Sequence, residues 1–448
     1  MAVALRAEGI EIPGLEELVA SVLFADDVAI VAESEEQLGR ISEAWAERWE
    51  MLFGVKKCGI MVCEDQELRE RVKGTAWHLQ GQEVPIVSEY TYLGVTMQED
   101  DGESMSVFQE KQVQRLRTLA GRLRPFLSSK SIPSLVRFRI FRSLVEPIAR
   151  WGLELIGWSD LSGKLKTAYS QCVKALVGSS SKNTIYSIYC LSLELGVPLL
   201  EDLHFMARAR AFYKLRSLKT FIAVLMANVG VPYRKLTWTT GVPRYLKTYP
   251  KLDLGKPWSE AKVNLGKYLL ARREKEYDDR RSVTAWKQAR YVNTVGFWKV
   301  AIFHSGVAKG VNWVVRARCA GIWTVKRAIE FGLVDATTVG GKCAACMVDL
   351  GETPELQHIL LDCTKFEEAR RVLEGVLGAI PETLPPDDRT RVLLRGSSIT
   401  AVEGIRFSLG QKWSGANAEG IGEPKLPGFA LLAKFCSLVW SWGGVFSE

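Results

Sequence analysis

Four residues in the last third of the chain have the types and spacing of a metal centre. Cys343, Cys346, His358 and Cys363 form a C-x2-C pair and an H-x4-C pair with eleven residues between them. Thiolate sulfur and imidazole nitrogen are ligands that Zn²⁺ takes in tetrahedral sites. With all four positions filled, no open coordination site remains, so the centre reads as structural or nucleic-acid-binding. Asp349 and Gly351 suit the loop between the pairs. The plainer reading is unconnected cysteines beside a surface histidine. In a chain with only four His, the clustering favours zinc.

A second set is Asp26-Asp27, set between two apolar runs. Adjacent carboxylates offer hard oxygen ligands, which suit Mg²⁺ shared with substrate phosphates. Two such metals clamp the attacking and leaving oxygens of phosphoryl transfer. Taken alone, the dipeptide reads more readily as an ordinary acidic turn, because Asp is favoured in turns.

The elements that must position these residues follow from the apolar pattern. VASVLFA and VAIVA are rich in Val and Ile and predict a hairpin closed by Asp26-Asp27. Ser34 with Gln37 predicts a capped helix start, and Leu38, Ile41, Trp45, Trp49 and Leu52 recur at helical spacing up to a stop at Gly54. Residues 56–63 and 90–97 each read as a strand. From about Ser104 the pattern is helical, punctuated by Pro133, Pro147 and Pro198. The predicted fold class is therefore α+β, predominantly α.

Charge is segregated. Between Glu110 and Glu146 there is no acid, and Arg115, Arg117, Arg122, Arg124, Lys130, Arg137, Arg139 and Arg142 lie there. Between Asp279 and Glu330 there is again none, and Arg280, Arg281, Lys287, Arg290, Lys299, Arg316 and Arg318 lie there among Trp residues. Basic side chains track phosphates, so these runs are expected to face RNA or DNA. The net charge of +8 agrees with a polyanionic partner. The competing expectation is that the Trp residues are core and the charges a solvated helix face.

Nine scattered Cys and an N-terminus without an apolar core segment argue against secretion and for a nuclear or cytoplasmic location. Residues 427–446 are apolar for about the length of a bilayer span. Lys434, Gly443 and Gly444 interrupt them, so a buried helix is expected rather than a membrane anchor.

Phe24-Ala25-Asp26-Asp27 between apolar strands resembles the Phe/Tyr-x-Asp-Asp box of reverse transcriptases. GVKKCGIMV at 54–62 is similar to the palm segment that follows it, with Val55 and Lys56 where LINE-type enzymes show Asn, and Cys58 for Ser. Tyr92-Leu93-Gly94 resembles the primer-grip box. The order and spacing resemble the reverse transcriptases of non-LTR (LINE-type) retrotransposons over residues 8–200, and again at 340–370 through the Cys/His unit. The resemblance implies RNA-directed DNA synthesis under two Mg²⁺, with Asp26 and Asp27 the catalytic pair, Asp26 a metal ligand and Asp27 beside it a second ligand or a structural residue. It also implies a palm, a thumb and a template-primer of RNA and DNA.

The family has a further catalytic Asp upstream of the box. Here 25 residues precede Asp26 and none is Asp. The expectation is a truncated or decayed copy, or an incomplete gene model, that lacks polymerase activity unless joined by the missing upstream half. The alternative is a non-enzymatic, zinc-containing nucleic-acid-binding protein. The expected organisation is a partial palm (1–103), a helical thumb (104–219), a linker (220–259), a basic helical connector (260–335), the zinc unit (336–372) and a tail (373–448). Pro386-Asp387 with Glu423-Pro424-Lys425 has the lettering of a restriction-like nuclease, but Pro inside the required strand argues against it.

Overall fold

The apolar runs around Asp26 do form a hairpin, though not with the predicted turn. The computed structural model describes, in the main, residues 9–11, 18–99, 104–156, 162–177, 187–219, 281–289, 305–330, 335–373 and 382–395, with short interruptions. Among these residues the protein is mainly helical, with a few short strands in separate two-stranded sheets. Two units are distinguished. One comprises Met1–Gln114, Arg150–Leu165 and Glu201–Tyr268, the other Arg115–Ala149, Lys166–Leu200 and Leu269–Glu448.

In the first unit β1 (Ser21–Phe24) pairs antiparallel with β2 (Asp27–Ile30), and Phe24 faces Asp27 across the ladder. The turn residues are therefore Ala25 and Asp26, not Asp26 and Asp27. Ala25 takes the positive φ that such a tight turn demands (53°). Helix α1 (Glu35–Trp49) starts as expected: Ser34 Oγ accepts the Gln37 N–H at 3.2 Å. Gln37 Oε1 accepts the Glu33 N–H, and Gln37 Nε2 reaches the Gly9 carbonyl. Ile41 and Trp45 pack against Ala20, Leu23, Val28 and Ile30. The helix ends sooner than predicted, because Glu50 caps it in the left-handed conformation (φ 48°) well before Gly54. Trp49 and Leu52 are consequently exposed rather than part of the apolar stripe.

Two predicted strands are revised. Residues 56–63 are not a strand: Val55–Lys57 is a 3₁₀ turn, and Ile60 makes a single parallel bridge to Ile86. The 90–97 stretch is a hairpin, β5 (Glu89–Tyr92) with β6 (Val95–Gln98). Its turn is Leu93-Gly94, with φ of 50° and 77°. Positive φ at both central residues is the signature of the turn whose twist matches a hairpin. Between these lie α2 (Gln66–Val72) and a further hairpin, β3 (Trp77–Leu79) with β4 (Gln82–Val84).

Helix α3 (Ser104–Leu127) begins where the sequence turned helical. α4 (Ser134–Ile140) starts after Pro133 and runs through a π turn, Phe141–Val145, into α5 (Glu146–Arg150). The wide turn has a cause. Pro147 cannot donate to the carbonyl four residues back, and its ring crowds that carbonyl in a regular helix. α6 (Gly163–Ala175), α7 (Ile188–Leu195) and α8 (Leu200–Arg216) follow.

In the second unit α9 (Arg281–Gln288), α10 (Ser305–Arg318) and α11 (Val325–Glu330) occupy the basic stretch. α10 is central: Val311, Val314 and Val315 are buried, and the helix packs on α4 and α7. α12 (Glu355–Leu361) carries His358, and α13 (Pro386–Arg395) packs against α10 and α12. Pro386 opens a helix, so Pro386-Asp387 is not on the strand that a restriction-like nuclease needs. Glu423-Pro424-Lys425, most of 220–259 and nearly all of 427–446 lie outside the described residues; Val242, Leu246 and Cys436, which are described, are buried. No described helix is long and apolar enough to cross a membrane.

Candidate functional site

The Cys-Cys-His-Cys set converges as the spacing predicted. The four ligand atoms all lie within 4.8 Å of one another. Cys343 Sγ and Cys363 Sγ are 4.0 Å apart, and Cys346 Sγ and His358 Nε2 are 3.1 Å apart. A tetrahedral zinc with bonds of ~2.3 Å has sulfur–sulfur edges of about 3.8 Å, so the donor set fits that ion.

Local chemistry explains the convergence. The Cys343 carbonyl accepts the Met347 N–H, and the Cys343 N–H is bound by Val348 O. Met347 sits at φ 61°, which turns the chain back on itself. The Ala345 N–H points at Cys343 Sγ from 3.4 Å. His358 projects from the last turn of α12, and Cys363 follows that helix by two residues. Cys343 and Cys363 are fully buried. Burial pushes the Cys363 thiol up to about 12 and lowers His358. Thiolates held this way need a cation beside them.

Two residues that sequence reasoning missed support the centre. Glu355 is buried, and its carboxylate accepts amide hydrogen bonds from Val325 and Ala344. Burial raises its carboxyl, and the two amide bonds oppose that. Arg370 Nη1 donates to the Cys363 carbonyl at 2.5 Å. No motif announces either residue, because their partners are backbone groups, which carry no sequence signature.

The second set is arranged differently. Asp26 and Asp27 are exposed at the tip of the β1–β2 hairpin. Among the described residues no third metal ligand accompanies them, so the hairpin by itself does not fit a two-metal site. The three family-like segments are neighbours nonetheless. Tyr90 Oη donates to the Lys57 carbonyl at 2.8 Å. Burial raises the Tyr92 phenol, and the Asp27 carboxylate adds to it; Tyr90 is raised by burial, then by Cys58 and Asp27. Leu93 and Gly94 form the β5–β6 turn, and Gly94 sits close beneath the Trp151 indole.

The basic residues divide into two classes. Arg115, Arg117, Arg122, Arg124, Arg139 and Arg142 are exposed. Three residues expected to face phosphates are corrected, because Arg137, Arg316 and Arg318 are buried. Arg137, 1% exposed, donates to the Leu127 carbonyl, Ser134 Oγ and Asn312 Oδ1. Arg316 lies over the Trp313 ring at 4.5 Å and donates to the Val177 carbonyl. Arg318 is paired with Glu194. A guanidinium that meets its partners inside the fold does not reach a phosphate outside it. Lys287 is half-buried, and Lys130, Arg280, Arg290, Lys299 and the Arg281 side chain lie outside the described residues. No family profile, curated protein or solved structure matches the chain.

Proposed function

We propose that the chain is related to the reverse transcriptases of non-LTR retrotransposons, and that the β1–β2 hairpin is the Asp-Asp element of an RNA-directed DNA polymerase site. The observation that carries this reading is the meeting of the three resembling segments. Tyr90 donates to the Lys57 carbonyl, and the Asp27 carboxylate is the smallest contributor, after burial, to raising Tyr90 and Tyr92. Asp27, Lys57 and Tyr92 belong to the three segments whose likeness to the family lies in their sequence alone. In this reading Asp26 would hold a Mg²⁺, Asp27 would be a second ligand or a structural neighbour, and the further carboxylate would come from the upstream palm strand that the family carries. Bound Mg²⁺ would stabilise charge on the transferring phosphate.

The test is a chimera. Fingers and upstream palm from a LINE-type enzyme are joined ahead of residue 18, and primer extension on an RNA template is measured with Mg²⁺. Extension that disappears on Asp26→Ala supports the reading. A folded chimera with no extension, or with extension indifferent to Asp26, contradicts it.

A second reading is a non-enzymatic, zinc-containing nucleic-acid-binding protein. A specific observation favours it: six exposed arginines between Arg115 and Arg142, in a stretch without acids up to Glu146, accompany a donor set with all four positions filled. Such a surface binds phosphates through charge with little regard to sequence.

A further inference from the structure

Glu355 is the first residue of α12, one turn before the metal ligand His358. It is only 5% exposed. A carboxylate out of water needs donors. Its two donors come from different segments. Oε2 accepts the Val325 N–H at 2.6 Å, and Oε1 accepts the Ala344 N–H at 3.3 Å. Val325 opens α11, and its N–H is among the first amides of that helix, which have no acceptor within it. Ala344 lies between two metal ligands, Cys343 and Cys346.

One turn of α12 is thus attached to the Cys343–Cys346 knuckle twice. His358 reaches it through the donor set, and Glu355 reaches it through a hydrogen bond. The same carboxylate continues to α11, which carries exposed Lys326 and half-buried Arg327. Thr324 Oγ1 accepts the Arg327 N–H at 3.3 Å, so the start of that helix is held by two acceptors.

We propose that Glu355 is a positioning residue for the metal centre, whose buried carboxylate sets the knuckle for the ion and passes metal occupancy on to the start of basic helix α11. The inference rests on the reading of the four ligands as a zinc site. When the ion is bound, His358 and Cys346 are fixed, the Glu355–Ala344 distance is fixed with them, and the Oε2 acceptor is held under Val325. When the ion leaves, α12 and the knuckle are joined by hydrogen bonds alone, and Val325 loses a fixed acceptor. Partners outside the ligand shell change metal affinity about 10–100-fold where they orient ligands.

The experiment uses the full chain with Co²⁺ as an optical probe, followed by competition with Zn²⁺. Wild-type protein that binds neither ion overturns the zinc reading itself and is recognised before any variant is made. Given binding, Glu355→Ala is expected to weaken Zn²⁺ affinity by about 10–100-fold with the thiolate–cobalt bands unchanged in position. Glu355→Gln keeps one acceptor oxygen and is expected to recover part of that loss. Amide hydrogen exchange at Val325 is expected to speed up in both variants, and in wild-type protein stripped of metal. An unchanged Zn²⁺ affinity in both variants overturns the proposal. So does Val325 exchange in wild-type protein that is the same with and without metal. The wild-type arm decides even where Glu355→Ala fails to fold.

Discussion

Arg318 Nη1 lies 3.1 Å from Glu194 Oε1, and neither side chain is reached by solvent. The pair is held from both ends: Trp286 Nε1 donates to Glu194 Oε2, and Arg318 Nε donates to the Leu394 carbonyl. It therefore joins α7, α9, α10 and α13 at one point in the second unit. Removing one partner leaves a buried charge without its counter-ion, which costs about 3–5 kcal/mol. Arg318→Met is expected to lower the urea midpoint of that unit sharply. Arg318→Met with Glu194→Leu is expected to recover much of the loss. If the single and double variants unfold alike, the pair is not the joint described.

The metal centre makes a second expectation. Purified, reduced, metal-replete protein should hold about one Zn²⁺ per chain by elemental analysis. Cys343→Ser with Cys346→Ser should lose it and increase proteolysis within residues 340–370. Absence of zinc in the wild-type protein defeats the assignment.

Nucleic-acid binding should depend steeply on salt. Every arginine–phosphate pair abolished by substitution reduces the slope of log affinity against log salt by about 0.7–0.9. Replacing Arg117, Arg122 and Arg124 by Ala should flatten that slope without lowering the melting temperature. Arg137→Ala should do the reverse, because its guanidinium is bound by Ser134, Asn312 and Leu127 inside the fold. Filter binding across a salt series, with melting curves for each variant, separates the two classes.

The Asp27 field gives an expectation about pH. Tyr90 and Tyr92 are raised above the ordinary phenol range, so the folded state favours their neutral forms. The stability they contribute is present below the unfolded phenol value, about 10, and is lost as pH rises through the folded values. Ring-carbon NMR should show Tyr92 titrating later than an exposed tyrosine, and Asp27→Asn should bring it part of the way back. Burial, the larger cause, should leave the remainder. A Tyr92 titration that ignores Asp27→Asn removes the link between the two hairpins.

Much of the local structure was legible in the sequence. Ser34 and Gln37 marked the start of α1, and Ser104 that of α3, because caps and composition act over a few residues. The Cys343, Cys346, His358 and Cys363 cluster was legible because metal coordination would constrain that spacing. What escaped was decided by partners distant in sequence or by backbone angles. Nothing in Leu93-Gly94 alone shows that a bulky residue takes a positive φ there. The burial of Arg137 depends on Asn312, on another helix. Acid-free composition identifies a basic stretch but not which of its arginines turn inward.

The wide turn at Phe141–Val145 and Pro147 form a matched pair with a consequence for chain length. A π turn accommodates one extra residue while the helix on either side keeps its facing. Removing one residue from 141–145 would close the segment to a regular helix with Phe141 and Ala149 still turned inward. Pro147 would then crowd a carbonyl with no room to withdraw. A one-residue deletion here is thus tolerable together with Pro147→Ala and damaging without it, so that length and composition at this point can change only in concert.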